Sequence, residues 1–196
     1  MSLDLGELPR LRSLAGEWEL IRWQLRFLDS LERLITWRFD ESSLLALNKH
    51  LCLKRLTIKE ARRLESLLGS EQMDDLRTLE VLLAPALSDI EAISDLVRLQ
   101  HLSFETARKL DSLDDIAKLV RLSHLGIANS GEIRSIAPVR QMTELSSLYA
   151  WGTTRIADND LSPLLGLTAL ADLRIRPRST YNPSVAEIKT ALSIQD

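Results

Sequence analysis

Aliphatic side chains recur at every third position in eight separate stretches of the chain. Each stretch is a ladder of four positions, and 31 of the 32 ladder positions are aliphatic or methionine, the exception being His50. The ladders are Leu5/Leu8/Leu11/Leu14, Leu25/Leu28/Leu31/Leu34, Leu47/His50/Leu53/Leu56, Met73/Leu76/Leu79/Leu82, Ile93/Leu96/Leu99/Leu102, Ile116/Leu119/Leu122/Leu125, Val139/Met142/Leu145/Leu148 and Leu164/Leu167/Leu170/Leu173.

Each ladder passes into an alternating pattern. A period of three keeps one side of a helical or 3-10 turn apolar, whereas alternation is typical of a strand with one buried face. The last ladder residues recur every 20 to 26 positions, which is the range of short structural repeats. The residues two positions after them are again small or apolar: Gly16, Thr36, Ile58, Ala84, Phe104, Ile127, Ala150 and Ile175.

A single repeat of this kind cannot stabilise itself. Ordering about 22 residues costs roughly 1–2 kcal/mol each, while six buried aliphatic side chains contribute about 2 kcal/mol each. Stacked repeats share one core, and their strands then line up as one parallel sheet. The pattern therefore predicts an α/β fold of about eight repeats, each a short turn followed by a short strand.

This pattern resembles the leucine-rich-repeat family, in particular the short-repeat branch of bacterial internalins and of a regulatory subunit of protein phosphatase 1. Residues 87–93, 133–139 and 161–164 carry the resemblance, because each leads into an L-x-x-L-x-x-L-x-L run. The likeness covers roughly residues 5–178. It implies a right-handed solenoid with a concave parallel sheet and short helical or 3-10 turns on the convex side, within a single domain spanning 1–196.

One family feature is missing. The family usually places an Asn, whose amide links successive turns, three residues beyond the second strand leucine. Without this Asn ladder we expect less regular turns, with backbone groups satisfied inside helical turns or by water. The corresponding positions here are Glu19, Phe39, Ala61, Leu87, Ala107, Ser130, Thr153 and Arg178.

The C-terminal sequence predicts a capping helix over about residues 184–194. Asn182 would be its N-cap, Pro183 would lie in its first turn, and Val185, Ile188 and Leu192 would face the last repeat.

The N-terminal ladder begins at Leu5, which leaves almost nothing for a cap. Three explanations remain open: the chain is cut from a larger protein, the segment 18–23 folds back with Trp18 and Trp23 as cap or core, or the first repeat docks on another subunit. Residues 69–72 are interpreted as an insertion that lengthens one convex turn.

Composition narrows the class of protein. The chain has 196 residues, 45% of them hydrophobic, a net charge of −3 and 41 leucines, as expected of one soluble domain with a repeated core. So small a net charge gives no general attraction to nucleic acid or membranes. Cys52 is the only cysteine, so no intrachain disulfide can form, and the N-terminus lacks a secretory signal pattern. We therefore expect a cytoplasmic protein.

The residues before, between and after the inward strand positions should face outward on the concave sheet. In the fourth repeat these would be Val81, Leu83 and Pro85. The basic residues of this face outnumber its acids, whereas the convex turns are acidic. Two interpretations remain open: an ordinary solvated sheet, or a set of anchors, since Arg, Trp and Tyr are enriched at binding hot spots. The candidate partner-binding residues are Arg33, Trp37, Arg55, Lys59, His101, His124, Tyr149, Trp151, Arg174 and Arg176.

Little in the sequence favours catalysis. His101 and His124 are predicted to be neighbours on adjacent strands, with Glu105 nearby, but zinc usually needs three or four protein ligands and no third can be assembled. His50 is interpreted as a locally satisfied or edge-exposed residue, and Cys52 as a small buried or turn residue. No phosphate-binding, dinucleotide-binding, hydrolase or zinc-protease motif is present. We expect neither an enzyme nor a cofactor or metal.

The sequence thus predicts a non-catalytic protein-binding module whose concave face takes a partner protein with an acidic surface, rather than nucleic acid or a membrane. The family resemblance implies that the module regulates or neutralises this partner. The alternative is a sensor or scaffold segment of a larger receptor, ligase or homo-oligomeric assembly joined through the N-terminal repeat.

Overall fold

A computed structural model of the chain describes residues 7–50 and 52–195. Within these residues the main sheet has eight parallel strands in the order β1-β2-β3-β4-β5-β6-β8-β10, and β7 and β9 form a separate two-stranded sheet. The strands are β1 (Ser13–Glu17), β2 (Arg33–Trp37), β3 (Arg55–Lys59), β4 (Thr78–Leu82), β5 (His101–Glu105), β6 (His124–Ala128), β7 (Glu132–Ile133), β8 (Ser147–Ala150), β9 (Arg155–Ile156) and β10 (Asp172–Ile175).

Short helical turns connect the strands of the main sheet, as the period-three ladders predict, except between β3 and β4, where residues 60–77 form no helix. The two α-helices are α1 (Trp18–Ile21) and α2 (Val185–Leu192). The 3-10 helices are Leu25–Phe27, Leu45–Leu47, Glu91–Ile93, Asp114–Ile116, Ala137–Gln141 and Ser162–Gly166.

One leucine of each main strand lies beside the corresponding leucine of the next strand. In the fourth repeat this residue is Leu79, whereas the sequence analysis assigned the position to Leu82. The aligned residues are Leu14, Leu34, Leu56, Leu79, Leu102, Leu125, Leu148 and Leu173. Five of them, from Leu56 to Leu148, are therefore spaced 23 residues apart.

This error in the phase of the fourth repeat arises because the largely apolar segment from Leu79 to Leu83 fits either phase. The observed phase lets the N–H groups of Arg77 and Thr78 donate to the carbonyl of Lys54 in the preceding repeat, at 2.9 and 3.1 Å. Backbone pairing therefore decides the register.

The shift moves several side chains. Val81, predicted to face outward, is fully buried, and Ser70 takes a buried position at the start of the ladder. Leu83 and Pro85, predicted on the concave face, lie beyond the end of β4. Leu56 and Leu79 are 23 residues apart, as are Leu79 and Leu102, so the predicted insertion at residues 69–72 is wrong, and these residues form no helix.

The ladder residues form one continuous core. Most of them are fully buried, and the aromatic ring of Phe104 fills the same core. Leu8, predicted inside, is 47% exposed, and Leu5 lies outside the described residues. His50 is buried, which lowers its pKa, while a hydrogen bond with the Leu28 backbone opposes this shift. This histidine is locally satisfied, one of the two possibilities that the sequence left open.

Most repeats turn sharply just after their strand, through a residue with a φ of 53–71° at Arg38, Glu60, Leu83, Thr106, Asn129 and Gly152. This conformation costs residues with a side chain about 1–2 kcal/mol, so the surrounding structure must impose it. The N–H groups of Leu83 and Thr106 donate to Glu105 and Ala128 of the next repeat, both at 2.9 Å. The expectation of irregular turns is therefore wrong, because backbone hydrogen bonds link the turns without an Asn ladder.

Helix α2 packs on the last repeat. Its N-cap is Ser184 and not the predicted Asn182: the Ser184 hydroxyl accepts a hydrogen bond from the Glu187 N–H, and the Glu187 carboxylate accepts one from the Ser184 N–H. Val185 and Ile188 are buried as predicted, and Leu192 is partly buried. No helix among the described residues is long and apolar enough to cross a membrane.

The segment 18–23 folds back only in part. Trp18 is buried against the ring of Phe39, with ring centroids 4.6 Å apart, and its indole N–H donates to Glu41 at 3.1 Å. Trp23 is 67% exposed. The core interpretation is confirmed for Trp18 and wrong for Trp23.

We predict that Leu125→Ala lowers the free energy of unfolding by about 2–5 kcal/mol, because it leaves a cavity in the shared core. The matched control is Leu165→Ala, since Leu165 is 45% exposed and should tolerate the change at a cost well below that of Leu125. Urea unfolding followed by circular dichroism measures both values. Equal losses in the two variants would contradict the assigned register.

Candidate functional site

The outward positions of the eight main strands, with the residue that follows β8 and β10, define the concave face. It consists of three rows: Ser13, Arg33, Arg55, Thr78, His101, His124, Ser147 and Asp172; Ala15, Ile35, Thr57, Glu80, Ser103, Gly126, Tyr149 and Arg174; and Glu17, Trp37, Lys59, Leu82, Glu105, Ala128, Trp151 and Arg176.

All ten candidate residues occupy positions on this face, and several are direct neighbours. Arg33 pairs laterally with Arg55, and Trp37 with Lys59. His101 pairs with His124, and Tyr149 with Arg174. Their placement is therefore as predicted, while their role in binding stays a prediction.

A chain of polar contacts begins in the middle of the concave face, at Glu80. The Thr57 hydroxyl donates to Glu80 Oε2 at 2.8 Å, and His101 Nε2 lies 3.4 Å from Glu80 Oε1. The sequence analysis missed Glu80, because the shifted phase placed this residue before the outward positions of the strand. The alternation of Thr78, Glu80 and Leu82 with buried Leu79 and Val81 is the signal that could have revealed it.

The two histidines continue the chain. Their rings stack almost in parallel, with centroids 4.1 Å apart and planes inclined by 7°. His124 shares a 2.6 Å hydrogen bond with the Ser147 hydroxyl through Nδ1, and its ring meets the Tyr149 ring edge-on at 4.8 Å. Four successive strands, from β4 to β8 of the main sheet, are thus joined by side chains as well as by backbone.

The C-terminal end of the chain of contacts is an ion pair. The Tyr149 hydroxyl donates to Asp172 Oδ2 at 2.6 Å, and Arg174 donates to both oxygens of Asp172 at 3.0 Å. The Arg174 guanidinium also lies 4.7 Å from the Tyr149 ring centre. The hydrogen bonds from Arg174 and Tyr149 lower the pKa of Asp172, so this carboxylate is ionised at neutral pH.

Both histidines are neutral at pH 7. Burial lowers the pKa of His101, and burial together with repulsion from His101 lowers the pKa of His124 to about 4. Glu80 opposes the shift at His101. Since His101 stays uncharged, its contact with Glu80 at neutral pH is a dipole–charge contact and not an ion pair.

Three cations of the N-terminal half form a basic strip on the concave face: Arg33, Arg55 and Lys59. Arg33 and Arg55 are exposed neighbours on β2 and β3, and no ion pair among the described residues includes any of the three. The acids of the face are Glu17, Glu80, Glu105 and Asp172, so Glu80 brings the face closer to balance than the sequence analysis inferred.

Unlike the cations of the basic strip, cations of the flanking turns form ion pairs. Arg98 binds Asp75 at 2.6 Å and Lys118 binds Asp95 at 3.2 Å, in each case between successive repeats. The acidic turns inferred from the sequence are therefore partly neutralised by the next repeat.

The structure gives no support to a metal site. Among the described residues, no group of three or more His, Cys, Asp and Glu side chains could hold a metal ion. His101 and His124 are adjacent, but the carboxylate that contacts His101 is Glu80 and not Glu105. Cys52 is exposed in a turn, one of its two predicted positions.

A groove lies where the concave face meets α2, and we call it the C-terminal groove. It has a volume of about 910 Å³. Its apolar lining includes Trp151, Leu173, Ile175 and Val185, and its basic lining consists of Arg174, Arg178 and Lys189. The sequence analysis did not find it, because it forms between the last strand and a helix that starts ten residues later.

Comparison with known protein families and with curated proteins gives no match for this chain. Solved structures do match. An internalin, InlF of Listeria monocytogenes, has a TM-score of 0.65 and 21% identity over 85% of this chain and 48% of its own.

Two further matches are structures of complexes. The ectodomain of the Arabidopsis thaliana receptor kinase GASSHO1/SCHENGEN3, solved with CASPARIAN STRIP INTEGRITY FACTOR 2, has a TM-score of 0.54 and 17% identity over 86% of this chain and 24% of its own. The TLR13–ssRNA13 complex has a TM-score of 0.56 and 17% identity over 89% of this chain and 30% of its own.

At these identities the likeness establishes the fold: the chain is an α/β leucine-rich-repeat solenoid that resembles bacterial internalins. It spans about half the length of the matched internalin and less than a third of the other two chains.

We predict a pH dependence from His124. Because its folded pKa of about 4 lies below the ordinary histidine pKa of 6.5, the unfolded state binds more protons between these pH values. Stability therefore falls as the pH is lowered through this window. His124→Gln should lose less stability than the wild type between pH 7 and pH 5.

Urea unfolding at both pH values measures this difference, and an NMR titration of the histidine ring protons reports the pKa directly. A His124 titration near pH 6.5, or the same pH dependence in both proteins, would contradict the prediction.

Proposed function

We propose that the chain is a non-catalytic module that binds a partner protein, with an acidic surface, on its concave face, and that it regulates or neutralises this partner. The in-register sheet holds the outward side chains in place before encounter, so binding loses little side-chain entropy. The interaction surface spans both the basic strip and the C-terminal aromatic residues.

The basic strip is the observation that carries this proposal. Arg33 and Arg55 stand side by side, exposed, without an ion-pair partner among the described residues. Like charges this close repel each other, and an acidic partner would remove that repulsion. By contrast, hydrogen bonds tie up two of the acids of the face, Glu80 and Asp172.

The structural neighbours are compatible with binding but do not name a ligand. One is a plant receptor kinase ectodomain in complex with CASPARIAN STRIP INTEGRITY FACTOR 2, and another is in complex with a single-stranded RNA, so the fold accommodates different ligands. We favour a protein over nucleic acid because the cations of this face form one short strip and the chain carries a net charge of −3.

The first test reverses the charge of the basic strip. Arg33→Glu combined with Arg55→Glu should weaken partner binding roughly tenfold or more, because repulsion replaces attraction at two adjacent positions. The melting temperature should not fall, since neither arginine holds an ion pair in the described structure. The matched control is Arg108→Glu with Arg121→Glu, two exposed arginines outside the sheet.

All three proteins serve as baits in lysate of the native host, and the captured partner is then purified and measured by interferometry. Capture that is equal for all baits would discard the concave face as the site. Capture that disappears on nuclease treatment would identify nucleic acid as the ligand and overturn the proposal.

The alternative is a sensor or scaffold segment of a larger receptor, ligase or homo-oligomer. The exposed apolar side chains of the first repeats favour it: Leu20 is 71%, Trp23 67% and Phe27 44% exposed. Such side chains lose free energy in water unless a neighbour covers them.

If the chain forms a homo-oligomer through its N-terminal repeats, the mass measured by light scattering should rise with protein concentration. The double substitution Trp23→Ser and Leu20→Ser should abolish this rise. Val97→Ser with Val120→Ser, which also replaces two exposed apolar residues, is the control. A constant monomer mass for the unmodified protein would exclude this assembly.

For the compartment we propose the cytoplasm. The single cysteine, Cys52, is exposed, and an unpaired exposed thiol suits a reducing environment.

A further inference from the structure

We propose that the C-terminal groove binds a linear segment of the partner protein in which an acidic residue lies next to an aromatic or long aliphatic residue. The apolar side chain would pack against Trp151 and the apolar lining, and the carboxylate would bind Arg178. The inference rests on the proposed function and names the chemistry of the segment recognised at one end of the concave face.

The apolar part of the groove is built by residues from two elements. Leu173 and Ile175 of β10 form one side, Val185 of α2 forms the other, and Trp151 stands at the rim with 55% of its surface exposed. A tryptophan this exposed beside an apolar floor gains free energy when a second apolar side chain covers it. The groove's volume of about 910 Å³ accommodates several side chains.

The polar part of the groove selects a negative charge. Three basic residues and no acidic residue line it. Arg174 is already bound to Asp172, so its charge is largely compensated. Arg178 has no ion pair in the described structure, and its Nε atom is shielded from solvent without a hydrogen-bond acceptor. A carboxylate forms the strongest hydrogen bonds with a guanidinium, so the charge of Arg178 favours an acidic group in the ligand.

The groove is continuous with the concave face. Tyr149, Trp151 and Arg174 belong to both surfaces, so a partner seated on the face extends naturally into the groove. Because the groove continues the face on which the partner is proposed to sit, the occupant proposed here is a segment of that partner and not a separate small molecule.

The experiment pans a display library of random linear dodecapeptides on the full chain. Enriched peptides are synthesised with a fluorescent label, and their affinities are measured by fluorescence polarisation. We expect enriched peptides to carry an acidic residue adjacent to an aromatic or long aliphatic residue. Replacing the acid by its amide, or the apolar residue by serine, should each weaken binding roughly tenfold.

Protein variants locate the site. Arg178→Gln and Trp151→Ala should each weaken binding of the acidic peptide roughly tenfold, and Arg178→Gln should leave the affinity of the amide peptide unchanged, because the lost partner is the carboxylate. Both variants should keep the wild-type melting temperature. The remote pair Arg33→Glu and Arg55→Glu should bind these short peptides nearly as well as the wild type.

Three results would overturn the inference: no enriched peptide, enrichment without the acidic–apolar pairing, or unchanged affinity in both groove variants. If peptide binding is lost only with the Arg33 and Arg55 substitutions, the peptides bind the basic strip. That result would refute the groove and leave the proposed function intact. If neither set of variants loses partner capture, the proposed function is refuted instead.

Discussion

The whole structure depends on the sharing of one apolar core between successive repeats. A repeat of about 23 residues buries its ladder only against the ladders of its neighbours, so no repeat is stable without the next. This coupling aligns Leu56, Leu79 and Leu102 and thereby fixes all the remaining positions of each strand. The same coupling imposes the left-handed turn residues, such as Glu60 and Thr106, whose strain the inter-repeat backbone hydrogen bonds offset.

The register of the strands also creates the concave face. Side chains that are 23 residues apart in sequence become lateral neighbours, which is why His101 stacks on His124 and why the Thr57 hydroxyl reaches Glu80. At the centre of the face, two neutral, stacked histidines lie beside Glu80, whose carboxylate accepts a hydrogen bond from the Thr57 hydroxyl. The basic strip lies at the N-terminal half, whereas the exposed indole of Trp151 and the basic lining of the C-terminal groove lie at the C-terminal half. The two ends of the face thus offer different chemistry to one ligand.

Most of the fold could be predicted from the sequence because the ladder repeats eight times, and seven correct ladders outweigh a local ambiguity. The fourth repeat shows the limit: residues 79–83 satisfy two phases equally well by hydrophobicity, and only backbone pairing with Lys54 distinguishes them. The ten candidate residues were placed correctly because they lie in repeats whose phase was unambiguous. Glu80 and Asp172 were not recognised as members of a network, since a hydrogen bond between side chains depends on rotamers that no periodicity encodes.

The sequence by itself determined the repeat length, the parallel strand order, the apolar core and the outward positions of seven strands, because these follow from where apolar side chains recur. Tertiary structure alone decided the phase of the fourth strand, the neutral state of the stacked histidines and the regular turns that form without an Asn ladder. The C-terminal groove, whose walls come from β10 and α2, also exists only in the tertiary structure. Each of these depends on distances between separate segments, and local sequence contains no information about such distances until the chain has packed.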